Sequence, residues 1–127
     1  MQDFFYEVKT DKSFDEAVVA VLKAVEQKGW TVFQVYDLRE RLAAKGFQHK
    51  SLKIIEICSG KYASALLNKD RLVSLCMPCK INVIEEDVVK IVAMRPTAMT
   101  QIFHEIGEDD VSEVEKEIRE IVDNAGR

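Results

Sequence analysis

Three cysteines are the residues of this chain with the most chemistry to offer, and two of them, Cys76 and Cys79, stand at C-x-x-C spacing in LCMPCKINVIEED. In a cytosolic protein that spacing belongs to a redox pair or to half of a metal site. A redox C-x-x-C draws its reactivity from the helix behind it, whose positive end lowers the pKa of the leading thiol. Here KINVIEED follows, an alternating apolar pattern that predicts a strand. Residues three apart on a regular strand face opposite ways, so no disulfide forms unless a turn at Pro78 brings the sulfurs together.

Cys58 is better placed for reactivity. It ends a predicted strand and precedes Ser59-Gly60-Lys61 at a predicted helix start, where outward N–H groups and the Lys61 charge would stabilise a thiolate. The C-terminal edge of a parallel strand is also where open α/β sheets place their ligands. The plain alternative is packing, since a free cysteine behaves as a small apolar group. A zinc site is the weaker chemical alternative: Cys58, Cys76 and Cys79 joined by His49 or His104 would give a Cys₃His set. Neither a second C-x-x-C nor a His-x₃₋₅-His pair is present to complete it.

Composition narrows the classes. A chain of 127 residues, 47% hydrophobic and 31% charged, is the size and balance of one globular domain, residues 1–127, that needs neither disulfide nor metal to fold. A net charge of −4, from 18 Lys+Arg against 22 Asp+Glu, disfavours nucleic acid or anionic membrane as partner. No apolar run approaches the ~18 residues of a spanning helix. The start MQDFFYEVKTDKSFDE lacks a basic segment followed by an apolar one, so a cytoplasmic location with reduced thiols is expected. Phosphate-binding and zincin motifs (G-x-x-x-x-G-K-[ST], G-x-G-x-x-G, H-E-x-x-H) are absent, and no cofactor is implied.

The elements that must position the cysteines follow from pattern. Residues 3 to 9 predict a strand; Ser13-x-x-Glu16 is a capping box opening a helix with an apolar stripe from Phe14 to Val25, stopped at Gly29. Residues 30 to 36 predict a second strand, and Asp37 caps a short helix ended by Gly46. A third strand, 52 to 58, leads into a helix bearing Tyr62, Ala63, Leu66 and Leu67. Runs at 80 to 85 and 88 to 94 are close enough to form only an antiparallel hairpin. The acidic Glu85-Glu86-Asp87 is then a solvated turn. A small helix spans Ala98 to Ile106 and closes at Gly107, and Ser112-x-x-Glu115 boxes a last helix ending at Gly126. The order β-α-β-α-β-α-β-β-α-α predicts an α/β (α+β) two-layer sandwich, its sheet mixed through right-handed crossovers and its helices on one face. Val32, Ile54, Ile84 and Val92 make several strands apolar on both sides, which predicts a homodimer covering the second face.

The segments KIIEICSGKYASALL and VSLCMPCKINVIEED, with the early helix leading to Gly29-Trp30-Thr31-Val32, resemble the family called domain of unknown function 302. The likeness runs from residue 3 to about 96 and reaches Cys58, Pro78 and Cys79; Cys76 departs from the pattern. The resemblance implies a small α/β sandwich, often dimeric, without an established activity. The expectation is a non-enzymatic binding module, a homodimer whose small ligand sits near Cys58, Ser59, Lys61, Pro78 and Cys79. The alternative is thiol or sulfur chemistry with Cys58 as nucleophile and Cys79 as its partner on the adjacent strand.

Overall fold

The fold is described from a computed structural model, residues 3–127. Five strands form one sheet in the order β1-β5-β4-β3-β2: β1 is Phe5–Thr10, β2 Thr31–Asp37, β3 Leu52–Cys58, β4 Cys79–Glu85 and β5 Val89–Met94. Four α-helices accompany them: α1 Phe14–Gln27, α2 Leu38–Ala43, α3 Gly60–Lys69 and α4 Glu108–Gly126. Two 3₁₀ segments, Arg71–Cys76 and Pro96–Gln101, lead into β4 and out of β5.

The α/β sandwich is as expected, but the sheet is antiparallel throughout rather than mixed. The connections explain the difference. Helix α2 has six residues, too short to carry the chain back along β2 for a parallel crossover. After β3, α3 leads away and the 3₁₀ segment packed on it returns, so that β4 starts where β3 ended, with Cys79 opposite Ile57. The argument from the C-terminal edge of a parallel strand therefore no longer applies to Cys58. The antiparallel arrangement instead brings Cys58 and Cys79 to one end of the sheet.

Helix α1 starts in the predicted box, with Ser13 and Glu16 each bonding the other's backbone N–H. Its Ala17, Val21 and Val25 and the Val114, Ile118, Ile121 and Val122 of α4 close over Ile55, Ile57, Ile81, Val83 and Ile91. These side chains occupy one strand phase, and burying each stabilises the fold by roughly 1.5–3 kcal/mol. In the alternate phase Ile54, Ile84 and Val92 are only half-buried. Val32 does not join them: it pairs with Ile57, packs on the core side, and a bulge before Gln34 resets the phase of the rest of β2.

The last helix also differs from expectation. It begins at Glu108 because the Asp110 carboxylate accepts the Gly107 N–H at 2.9 Å, an earlier cap than Ser112 provides. Ser112 lies inside the helix. Glu115, released from a capping role, is 7% exposed and accepts from the Thr97 N–H at 3.0 Å, the Thr97 hydroxyl at 2.7 Å and Arg95 Nε at 3.1 Å. The small helix expected from Ala98 to Ile106 is a 3₁₀ turn ending at Gln101, tied down by those bonds to Glu115.

Candidate functional site

At the end of the sheet where β3 stops and β4 starts lies a cavity of about 280 Å³. Cys58 and Ser59 form part of its wall from the β3–α3 junction, Pro78 and Cys79 from the head of β4. Helix α3 adds Tyr62, Ala63, Leu66 and Leu67, and Met77, Met99 and Val114 enter from neighbouring elements. Trp30 and the bulge residue Phe33, which is 56% exposed at the rim, complete it. No lining residue is charged. The sequence-predicted residues thus meet here with one exception, since Lys61 is outside the lining and its ammonium sits 4.9 Å from the centre of the Tyr62 ring.

Burial works against the thiolate form at Cys58 and at Cys79. Burial pushes the Cys58 thiol above its ordinary value, against the lowering expected from the helix start and Lys61. Burial pushes Cys79 higher, to about 11, and the neighbouring Cys58 adds to the rise. Ser59 caps α3 without a side-chain hydrogen bond. Cys79 faces Ile57 across the strands, and Cys58, one residue on, is in the opposite phase. The two thiols are therefore not a directly opposed cross-strand pair. All three cysteines are free thiols.

Cys76 lines a second, adjoining cavity of about 170 Å³ with Leu75, Lys80, Met94 and Pro96; Pro78, Cys79 and Met99 are shared with the first. Both His49 and His104 are exposed and neither lines the two cavities. Among the described residues no three His, Cys, Asp or Glu side chains stand close enough to hold a metal together, so the Cys₃His zinc set is not assembled.

Sequence reasoning assigned Trp30 to a strand and Tyr62 to a helical stripe, and gave neither a role in the site. Their rings stand 6.0 Å apart in the cavity wall, and a single carboxylate fixes both. Glu117 of α4 accepts from Trp30 Nε1 at 2.9 Å and from the Tyr62 hydroxyl. Burial opposes charge on Glu117, but these two donors outweigh it and hold the carboxyl below its usual range. The Tyr62 hydroxyl, bonded to that carboxylate, is pushed up to about 12. The available signal was chemical: a buried Trp or Tyr carries a polar end that must find a partner.

Comparison with known proteins agrees with the fold. The model of the family described as Domain of unknown function DUF302 matches residues 6–125. A solved structure, the crystal structure of an uncharacterized conserved protein DUF302 from Bacillus stearothermophilus, superposes with a TM-score of 0.89 at 25% identity, over 98% of each chain. No curated protein matches.

Proposed function

This chain belongs to the Domain of unknown function DUF302 family, which brings no inherited activity, and we propose that it is a non-enzymatic binding module whose ligand occupies the cavity beside Cys58 and Cys79. The observation that carries the reading is the lining: about 280 Å³ of apolar wall without one charged side chain. Ligand sites of this kind start at roughly 300 Å³. The occupant is therefore small and uncharged overall, because a bare charge in such surroundings loses its hydration without recompense. Protonated thiols and the absence of a base beside them favour binding over turnover. Three free thiols suit the reducing cytoplasm. The half-buried Ile54, Ile84 and Val92 support a homodimer through the second sheet face.

Trp30, the one tryptophan of the chain, is a built-in reporter. Energy transfer from Trp30 to the apolar dye anilinonaphthalene sulfonamide, a neutral probe, is expected to saturate at one dye per chain and to be lost in Ala63→Phe, which fills the cavity. Transfer that does not saturate, or that Ala63→Phe leaves unchanged, overturns the reading. Light scattering at micromolar concentration tests the dimer, and a monomer there removes that part.

A further inference from the structure

Phe33 is an apolar ring left in water beside an apolar cavity, and the backbone puts it there. In β2, Val32 packs on the core side opposite Ile57 and Gln34 stands opposite Glu56, so Phe33 is the extra residue of the bulge. Plain alternation from Val32 would send Phe33 to the far face of the sheet. It lines the rim of the cavity instead, 56% exposed. Bulges recur beside functional sites because they re-aim a side chain in this way.

The other two aromatic side chains of the wall are fixed before any ligand arrives. Trp30 and Tyr62 stand 6.0 Å apart with their planes tilted by 41°, and both donate to the Glu117 carboxylate. Rings already held in place spare a ligand the ordering cost of a mobile wall. Met77 and Met99 add thioethers, which also pack favourably against aromatic rings. Beyond the area it buries, each aromatic pair contributes about two- to tenfold in affinity. A saturated ligand gains the area alone. Size sets the other limit: an apolar cavity of ~150 Å³ holds one benzene ring, so one of about 280 Å³ holds roughly two.

We propose that the cavity takes a neutral, planar aromatic compound of about two fused rings, and that Phe33 is the specificity-determining residue that meets it at the rim. Neutrality follows from the uncharged lining, planarity and aromaticity from the three rings and two thioethers around it.

This inference rests on the cavity being a ligand site, and the experiment separates the two. The aromatic alcohol 2-naphthol is compared by calorimetry with decahydro-2-naphthol, which keeps the skeleton and the hydroxyl but is neither planar nor aromatic. Each is titrated into the native chain, Phe33→Leu and Ala63→Phe, with the neutral dye measured on the same samples. The native chain is expected to bind one 2-naphthol, at least about tenfold more tightly than the saturated compound. Phe33→Leu keeps an apolar side chain at an exposed position; there 2-naphthol is expected to bind about fivefold more weakly, with the saturated compound unchanged. Ala63→Phe is expected to lose both. Equal affinity of the native chain for the two compounds, or a preference that Phe33→Leu leaves intact, overturns the proposal. Dye binding without the aromatic preference overturns the ligand class alone; absence of binding by the dye and by both alcohols overturns the cavity reading as well.

Discussion

Removing the Glu117 carboxylate tests whether α4 positions the aromatic wall of the cavity. Trp30 is 6% exposed and donates its only side-chain N–H to Glu117 at 2.9 Å. In Glu117→Ala that donor is left buried and unpaired, at a cost of about 1–3 kcal/mol. The Tyr62 hydroxyl belongs to a half-buried residue and can turn to water, which adds roughly 0.5–1 kcal/mol. The expected loss is about 1.5–4 kcal/mol, with a fall in Tm of about 3–5 °C per kcal/mol for a chain of this size. Glu117→Gln keeps one acceptor for Trp30, and its amide N–H can donate to the Tyr62 oxygen, so it loses only about 0.5–1.5 kcal/mol. The two variants also differ from the native chain in pH dependence. The Glu117 carboxyl is held low in the fold, so its contribution is present above the ordinary carboxylate range and lost as pH falls through the folded value. The Tyr62 hydroxyl is raised to about 12, so its contribution is complete below the ordinary value of 10.0 and lost as pH climbs through about 12. Urea melts across pH, Trp30 emission and phenolate absorbance read all of this. Equal stability of both variants and the native chain, with Tyr62 titrating as before, would refute the reasoning.

Two further outcomes are expected. Glu115→Ala removes a buried carboxylate from Arg95, whose guanidinium is 3.0 Å away, and from the Thr97 N–H, a loss of about 3–5 kcal/mol. Burial opposes charge on Glu115 and its Thr97 and Arg95 bonds overcome this, so its contribution is lost as pH falls through the depressed folded pKa; chemical denaturation at acid and neutral pH measures both effects. Cys58 and Cys79 are expected to alkylate slowly at neutral pH, with the Cys79 rate still rising towards pH 11 and the Cys58 midpoint above its ordinary value of 9.0. Iodoacetamide labelling read by mass spectrometry checks the two sites separately, and a fast Cys58 at pH 7, where only a few per cent of an ordinary thiol is ionised, would contradict its burial.

Local pattern carried the elements of this fold because their causes are local. The Ser13 and Glu16 box, the Asp37 cap and the strand alternation of residues 80 to 85 each depend on neighbours a few positions away. Strand direction has a different cause, the length and path of the connections, and the short α2 and the returning 3₁₀ segment made the sheet antiparallel. The start of α4 was misplaced because Ser112-x-x-Glu115 and Gly107-x-x-Asp110 compete for one cap, and only burial of Glu115 against Thr97 and Arg95 decides between them.

The candidate site divides along the same line. Cys58, Ser59, Pro78 and Cys79 were legible as residues at the ends of strands, and the register brings them to one cavity. Trp30, Tyr62 and Glu117 are 32 and 55 positions apart along the chain, and no spacing rule links them. The wall they form depends on α4 packing beside α1 and α3, which is a property of the assembled core. The Cys58 thiol makes the same point in energetic terms. A helix start and a nearby lysine argue for a thiolate, but Lys61 turns onto the Tyr62 ring and burial acts on the sulfur unopposed. Desolvation is set by what the whole chain packs around a group, so a charge predicted from four adjacent residues yields to a cavity built from five separate segments.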